Sequence, residues 1–147
     1  MPRRKKAKRS RRSGTVIDYD GITFRSKLEL YCYKQLKEHK LFDKYECESW
    51  VLMEPKVIPN RCYERQSNGK GEFKLRSSSV RGITYTPDFT GKDYIIEVKG
   101  HANMAFPLRY KMFKSKLSES GDSRNLYKPQ SQKDIDHMIE VIKSLRT

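Results

Sequence analysis

Between Ile83 and Val98 the sequence spells out a β-hairpin. Ile83–Phe89 and Tyr94–Val98 are short runs of strand-forming residues, and Thr90-Gly91-Lys92-Asp93 between them is a turn. This hairpin constrains the chain more than any other feature, because it decides where its most distinctive side chains fall. Asp88 ends the first strand. Glu97 and Lys99 lie two apart in the second, so their side chains leave the same face of the sheet. The turn folds Asp88 back towards Glu97. Two carboxylates and an ammonium are thereby expected to converge at one end of a sheet.

The surrounding pattern is of mixed α/β type. Thr15–Phe24 reads as a short hairpin turning at Asp20-Gly21. Ser26 followed by Glu29 has the form of a capping box, and Phe24, Leu28, Tyr31, Cys32 and Leu36 share a helical stripe, which predicts a helix over 26–39. Lys44–Met53 reads as one strand, and Val57-Ile58 begins another. Residues 65–79, rich in Gly, Ser and charge, are expected to form a mobile loop or the tip of a long hairpin. Pro107–Leu117 carries Leu108, Met112 and Phe113 at helical spacing, with Pro107 suited to a helix start. Asn125–Tyr127 has the character of a short edge strand. Ser131–Leu145 is a final helix on Ile135, Met138, Ile139 and Ile142. The expected architecture is one folded domain over 15–147, a mixed sheet flanked by helices.

Charge points to the partner. There are 32 Lys and Arg against 18 Asp and Glu, a net charge of +14, and a chain so basic seeks a polyanion, nucleic acid before a membrane surface. Eight of those cations, Arg3, Arg4, Lys5, Lys6, Lys8, Arg9, Arg11 and Arg12, stand within the first twelve residues, leaving 14 − 8 = +6 for the rest. Residues 1–14 are therefore expected to be a disordered arm that lies on phosphates when bound. A solubility tail or a sorting signal is the alternative. Arg109 and Lys111 are either a solvated helix face or further phosphate contacts. The apolar runs are too short to span a membrane, and none follows the basic start as a secretory signal requires. Three cysteines without a C-x-x-C pair fit a reducing cytoplasm better than a disulfide framework.

The converging residues suit phosphodiester hydrolysis. Carboxylate oxygens favour Mg2+ or Mn2+, a hard cation that polarises phosphate oxygen and acidifies water, and the Val98 carbonyl offers one more oxygen. Lys99 offsets the charge that develops on the phosphate. The plainer reading makes Asp88 a turn-former, Glu97 and Lys99 a same-face surface ion pair, and Glu29 a solvated helix residue.

Pro87-Asp88 followed by Glu97-Val98-Lys99 resembles the PD-(D/E)xK nuclease superfamily. A narrower resemblance is to phage Holliday-junction resolvases of the endonuclease I type. It rests on Phe24/Ser26/Leu28/Glu29, on Tyr45-Glu46-Cys47-Glu48-Ser49-Trp50, on Val57-Ile58-Pro59 and on Tyr85-Thr86-Pro87-Asp88-Phe89. A related phage family of resolvases is similar in Val98-Lys99-Gly100 and in Phe106–Phe113. The resemblance covers about residues 20–117. It implies a restriction-endonuclease-like fold and one or two metal ions on Glu29, Asp88, Glu97 and the Val98 carbonyl. It also implies that Lys99 is the catalytic lysine, that the enzyme is a homodimer, and that the substrate is a four-way DNA junction. Segment 60–82 is longer here than in phage endonuclease I, and the basic arm is not part of the shared pattern.

The expected activity is thus a Mg2+-dependent, structure-selective DNA endonuclease located in the cytoplasm, that of the host if the gene is a phage's. A general nickase of the same superfamily and a non-catalytic DNA-binding protein are the alternatives. Eight arm cations, if all met phosphates, would add about 7 to the log–log salt slope of duplex binding. Deleting residues 2–12 is expected to flatten that slope by less than half this value and to leave single-turnover cleavage nearly unchanged. An unaltered slope would assign the arm another purpose.

Overall fold

A computed structural model describes residues 16–147, and among them the chain is mixed α/β. The elements run β1 (Ile17–Tyr19), β2 (Ile22–Phe24), α1 (Lys27–Glu38), β3 (Lys44–Tyr45), β4 (Trp50–Met53), β5 (Lys56–Arg65), β6 (Phe73–Val80) and β7 (Ile83–Tyr85). They continue with β8 (Phe89–Thr90), β9 (Tyr94–Ile96), α2 (Phe106–Ser120), β10 (Asn125–Tyr127) and α3 (Gln132–Leu145). No helix among the described residues is long and apolar enough to cross a membrane. The chain divides into two compact units, one holding the described residues through Phe42 together with Ser131–Thr147, the other Asp43–Gln130.

The first unit is a hairpin and two helices. β1 and β2 pair across Asp20-Gly21, both at positive φ (52° and 73°), the twist a two-residue hairpin turn requires. Ser26 caps α1 by accepting from the Glu29 N–H at 3.1 Å, and Ser131 caps α3 by accepting from the Asp134 N–H at the same distance. α1 packs on α3, whose buried residues Ile135, Met138, Ile139 and Ile142 are those the periodicity predicts. The buried face of α1 is Glu29, Cys32, Tyr33 and Leu36, displaced round the helix from the predicted stripe. Tyr33 is drawn inward by rings, with Phe24 at 5.1 Å and Phe42 at 4.9 Å. Tyr31 turns outward, and its hydroxyl donates to Asp136.

The second unit is built on a four-stranded sheet in the order β10-β9-β8-β3, with β10 parallel to β9 and the other pairs antiparallel. β4 and β7 form a separate two-stranded sheet, as do β5 and β6. Leu52, Tyr85, Ile95, Phe106, Phe113 and Leu117 make the core here. Phe113 lies at its centre, stacked on Tyr85 at 4.4 Å and edge-on to Trp50 at 4.9 Å. The inward face of α2 is Phe106, Phe113 and Leu117, while Leu108, expected inside, is exposed. The helix starts at Phe106 rather than Pro107, and that aromatic anchor sets its rotation.

Two predicted strands are each broken in two. Lys44–Met53 splits into β3 and β4 where Glu46 takes a positive φ of 45°, and Ile83–Phe89 splits into β7 and β8 at Thr86-Pro87. Pro87 has no N–H to give a ladder, so pairing stops there. The hydroxyls of Ser49 and Thr86 meet at 2.6 Å across the double break. Both strands thus leave one sheet and join the next at the same corner. The 65–79 segment resolves in favour of the long hairpin, for β5 and β6 pair out to Arg65↔Phe73.

The far end of the β8–β9 hairpin is clamped by Arg124. Its guanidinium donates to Glu48 (2.8 Å), Asp122 (2.8 Å) and the Gly91 carbonyl (3.2 Å). Gly91 tolerates no side chain, since a Cβ there would lie 2.6 Å from the Tyr94 ring. Hydrogen bonds from Arg124 hold the Glu48 and Asp122 carboxyls below their usual range. A carboxyl that ionises more readily when folded stabilises the fold above its unfolded pKa, near 4, and loses this contribution as pH falls through the folded value. Arg124→Met is expected to cost about 1–3 kcal/mol at neutral pH and to flatten the drop in melting temperature below pH about 4. Parallel acid profiles for the two proteins would remove this clamp from the acid response.

Candidate active site

The broken corner presents Asp88. Its carbonyl accepts from the Glu46 N–H at 2.8 Å, and its carboxylate accepts from the Val98 N–H at 2.7 Å. The side chain therefore takes over, one residue beyond β8, the pairing that the backbone has given up. The register Phe89↔Ile96 and Thr90↔Ile95, carried one step further, sets Asp88 opposite Glu97. Directly opposed residues of an antiparallel pair have Cβ atoms about 5 Å apart.

The other edge of this strand is equally fixed. Glu97 N–H donates to the Tyr127 carbonyl (2.9 Å) and Lys99 N–H to that of Pro129 (3.0 Å), which prolongs the parallel pairing past β9 and β10. Strand alternation then turns the N–H and C=O of Val98 the opposite way, towards Asp88. Ile95, Glu97 and Lys99 share one face, and exposure rises along it: Ile95 is in the core, Glu97 is 7% exposed, and Lys99 is half-buried. Asp88, also 7% exposed, completes a buried pair of carboxylates.

Two tyrosines feel the charge of the pair. Tyr85 lies in the core, and burial first, then the Glu97 and Asp88 carboxylates, push its hydroxyl far above the usual phenol range. Burial and then Glu97 raise Tyr110 as well. Beyond them opens a cavity of about 310 Å3 lined by Lys99, Phe106, Tyr110, Lys111, Lys114 and Lys128, among others. Lys99 Nζ sits 4.5 Å from the Phe106 ring centre. Lys114 and Lys128 approach the Tyr110 ring at 4.7 and 5.3 Å. The two rings stack on each other at 5.3 Å. Four ammonium groups thus surround an aromatic floor, close in sequence and fold to two buried carboxylates.

The expected residues within the described part of the chain each have a definite place. Asp88, Glu97, Val98 and Lys99 come together at the corner, and Lys111 lines the cavity. Arg109 is exposed, and its guanidinium donates to the Thr84 carbonyl at 2.6 Å, which ties α2 to β7. Glu29 belongs to the other compact unit. It is buried at the start of α1, where its carboxylate accepts from the Arg25 N–H at 3.3 Å. The arm residues Arg3, Arg4, Lys5, Lys6, Lys8, Arg9, Arg11 and Arg12 lie outside the described residues. Phe106, Tyr110 and Lys114 were not foreseen, although their spacing of four along α2 marks them as one helix face. Lys128 carries no local signal and reaches the cavity only through the β9–α2–β10 crossover.

Among the described residues no group of three or more His, Cys, Asp or Glu side chains could hold a metal ion. The pair Asp88 and Glu97, with the Val98 carbonyl, is an oxygen-only set. It suits Mg2+, which takes one or two carboxylates and completes its shell with water.

Residues 9–131 match the family described as Protein of unknown function (DUF1064), and the chain belongs to that family. No curated protein and no solved structure matches the chain.

The raised Tyr85 hydroxyl gives a direct check on this geometry. Tyr85→Phe is expected to leave the alkaline absorbance titration of the folded protein unchanged between pH about 9 and 11, where ordinary phenols ionise. Loss of a titration step in this variant would place the phenol outside the carboxylate corner.

Proposed function

We propose that the protein is a metal-dependent DNA endonuclease with a restriction-endonuclease-like active site, and that branched four-way DNA is its substrate. The observation that carries this reading is the corner itself. Asp88, Glu97 and Lys99 are brought to one sheet end by two short strands, with Asp88 tied to the Val98 amide. Two carboxylates buried side by side repel each other, and a divalent cation between them turns that repulsion into ligation.

In this reading Asp88, Glu97 and the Val98 carbonyl hold Mg2+ or Mn2+. The bound ion supplies Lewis acidity to the scissile phosphate and an acidified water. Lys99, two residues beyond Glu97 on the same face, places its ammonium where charge grows on the nonbridging oxygens. Lys111, Lys114 and Lys128 position neighbouring phosphates, and the basic arm adds affinity without selectivity. Tyr85 and Tyr110 shield the carboxylates from bulk water. Resolving a four-way junction requires two symmetric cuts, which a two-fold homodimer supplies.

Cleavage of four-way, duplex and single-stranded DNA in Mg2+ tests the reading and its competitors together. Asp88→Asn, Glu97→Gln and Lys99→Ala are each expected to lower cleavage by at least 10^3-fold, a loss of about 4 kcal/mol of transition-state stabilisation, with an unchanged circular dichroism spectrum. Ca2+, larger and with more ligands, is expected to support binding without cleavage. Full activity of Asp88→Asn would end the nuclease assignment. Nicks made equally on duplex and junction by a monomer would leave a general nickase.

A further inference from the structure

The β5–β6 hairpin stands apart from the corner chemistry and has its own character. None of its residues is buried, although its strands are ten and eight residues long. A two-stranded ribbon with no core is marginal on its own, so a ribbon kept at this length points to something that it touches. Between Lys56 and Val80 it carries Lys56, Arg61, Arg65, Lys70, Lys74 and Arg76 against Glu64 and Glu72, which makes 6 − 2 = +4.

Its two faces differ. The register Arg61↔Ser77, Tyr63↔Leu75 and Arg65↔Phe73 places these six side chains on one face. Glu64↔Lys74 and Cys62↔Arg76 fall on the other, where the acid stands opposite a lysine. The first face has two arginines and no carboxylate. Tyr63 and Phe73 stack on it at 5.3 Å with an interplanar angle of 27°, and the Arg65 guanidinium lies 4.8 Å from the Phe73 ring centre. Tyr63 is 67% exposed, Phe73 46% and Leu75 45%. Three large apolar side chains in the open, bracketed by cations, form a patch that needs an occupant. A second copy of the same face would bring arginine against arginine. Bases offer flat rings for Tyr63 and Phe73, and their phosphates offer charge for Arg61 and Arg65.

We infer that this face of the β5–β6 ribbon is a stacking platform for unpaired bases of DNA, with Arg61 and Arg65 on the flanking phosphates. Bases stacked within a duplex do not expose their planes, so the platform selects DNA with open or branched strands. The inference rests on the proposed DNA partner but not on the metal site, and its test is run without cleavage.

The probe is duplex DNA with a short single-stranded gap containing 2-aminopurine, bound in EDTA by the full chain carrying Asp88→Asn, with the intact duplex as control. Stacking on the ribbon is expected to change the 2-aminopurine fluorescence. Tyr63→Ala with Phe73→Ala is expected to abolish that change and to weaken gapped-DNA binding about ten-fold, the weight of one base–ring stack, while duplex affinity stays within about two-fold. Tyr63→Phe is expected to keep both. Arg61→Gln with Arg65→Gln is expected to reduce the log–log salt slope by about 1.4 on a single strand. Equal binding and equal fluorescence for the double-alanine variant would overturn the platform, as would failure of the chain to bind either DNA. Ring-dependent binding by a wild-type chain that cleaves nothing would uphold the platform and remove the nuclease reading.

Discussion

The hydrogen bond from the Val98 amide to the Asp88 carboxylate is the joint on which the second unit turns. Pro87 ends one strand and cannot donate, and the chain changes sheets at that point. Asp88 restores with its side chain the contact that the backbone loses. Its geometry brings a carboxylate to the only place where it can lie opposite Glu97 and beside the Val98 carbonyl. Burying two carboxylates together is unfavourable unless each finds compensation. The sheet end accepts that cost because its backbone is bonded on both edges, to Glu46 and Asp88 on one side and to Tyr127 and Pro129 on the other.

Opposite charges are sorted over a short distance around this joint. Carboxylates sit in the interior, Asp88 and Glu97 each 7% exposed. Ammonium groups sit at the cavity, with ring faces beside three of them. Aromatic quadrupoles let cations gather more closely than water-exposed aliphatic surroundings would. The gathered lysines still repel one another, and a polyanion relieves that repulsion more completely than a monovalent counterion does.

Much of the corner was legible in the sequence, because strand alternation and a four-residue turn are local facts. Glu97 and Lys99 on one face, and Asp88 near Glu97, follow from spacing alone. α3 was legible for the same reason, its four apolar residues being spaced for one face. The double strand break was not legible, because it depends on Glu46 meeting Asp88, and Ser49 meeting Thr86, across two distant segments. Tyr33 displaced Tyr31 from the α1 core through rings contributed by Phe24 and Phe42, and no periodicity within the helix encodes that choice. Lys128 shows the same limit at the cavity. The ribbon was half legible: its glycines marked a turn, while its charged, serine-rich strands lack the apolar alternation that identifies a strand with one buried face.

The parallel pairing of β9 with β10 has a consequence for how the protein is made. Glu97 and Lys99 receive their backbone partners from Tyr127 and Pro129, thirty residues later in the chain. Those partners arrive only after α2 has formed and crossed over. A chain emerging from the ribosome therefore carries both acids and the lysine well before it has the strand that aligns them. Such long-range closure is slow relative to local hairpin formation. Alignment of the corner is thus a late event in synthesis, and a chain truncated between Lys99 and Tyr127 carries both acids and the lysine without the strand that aligns them.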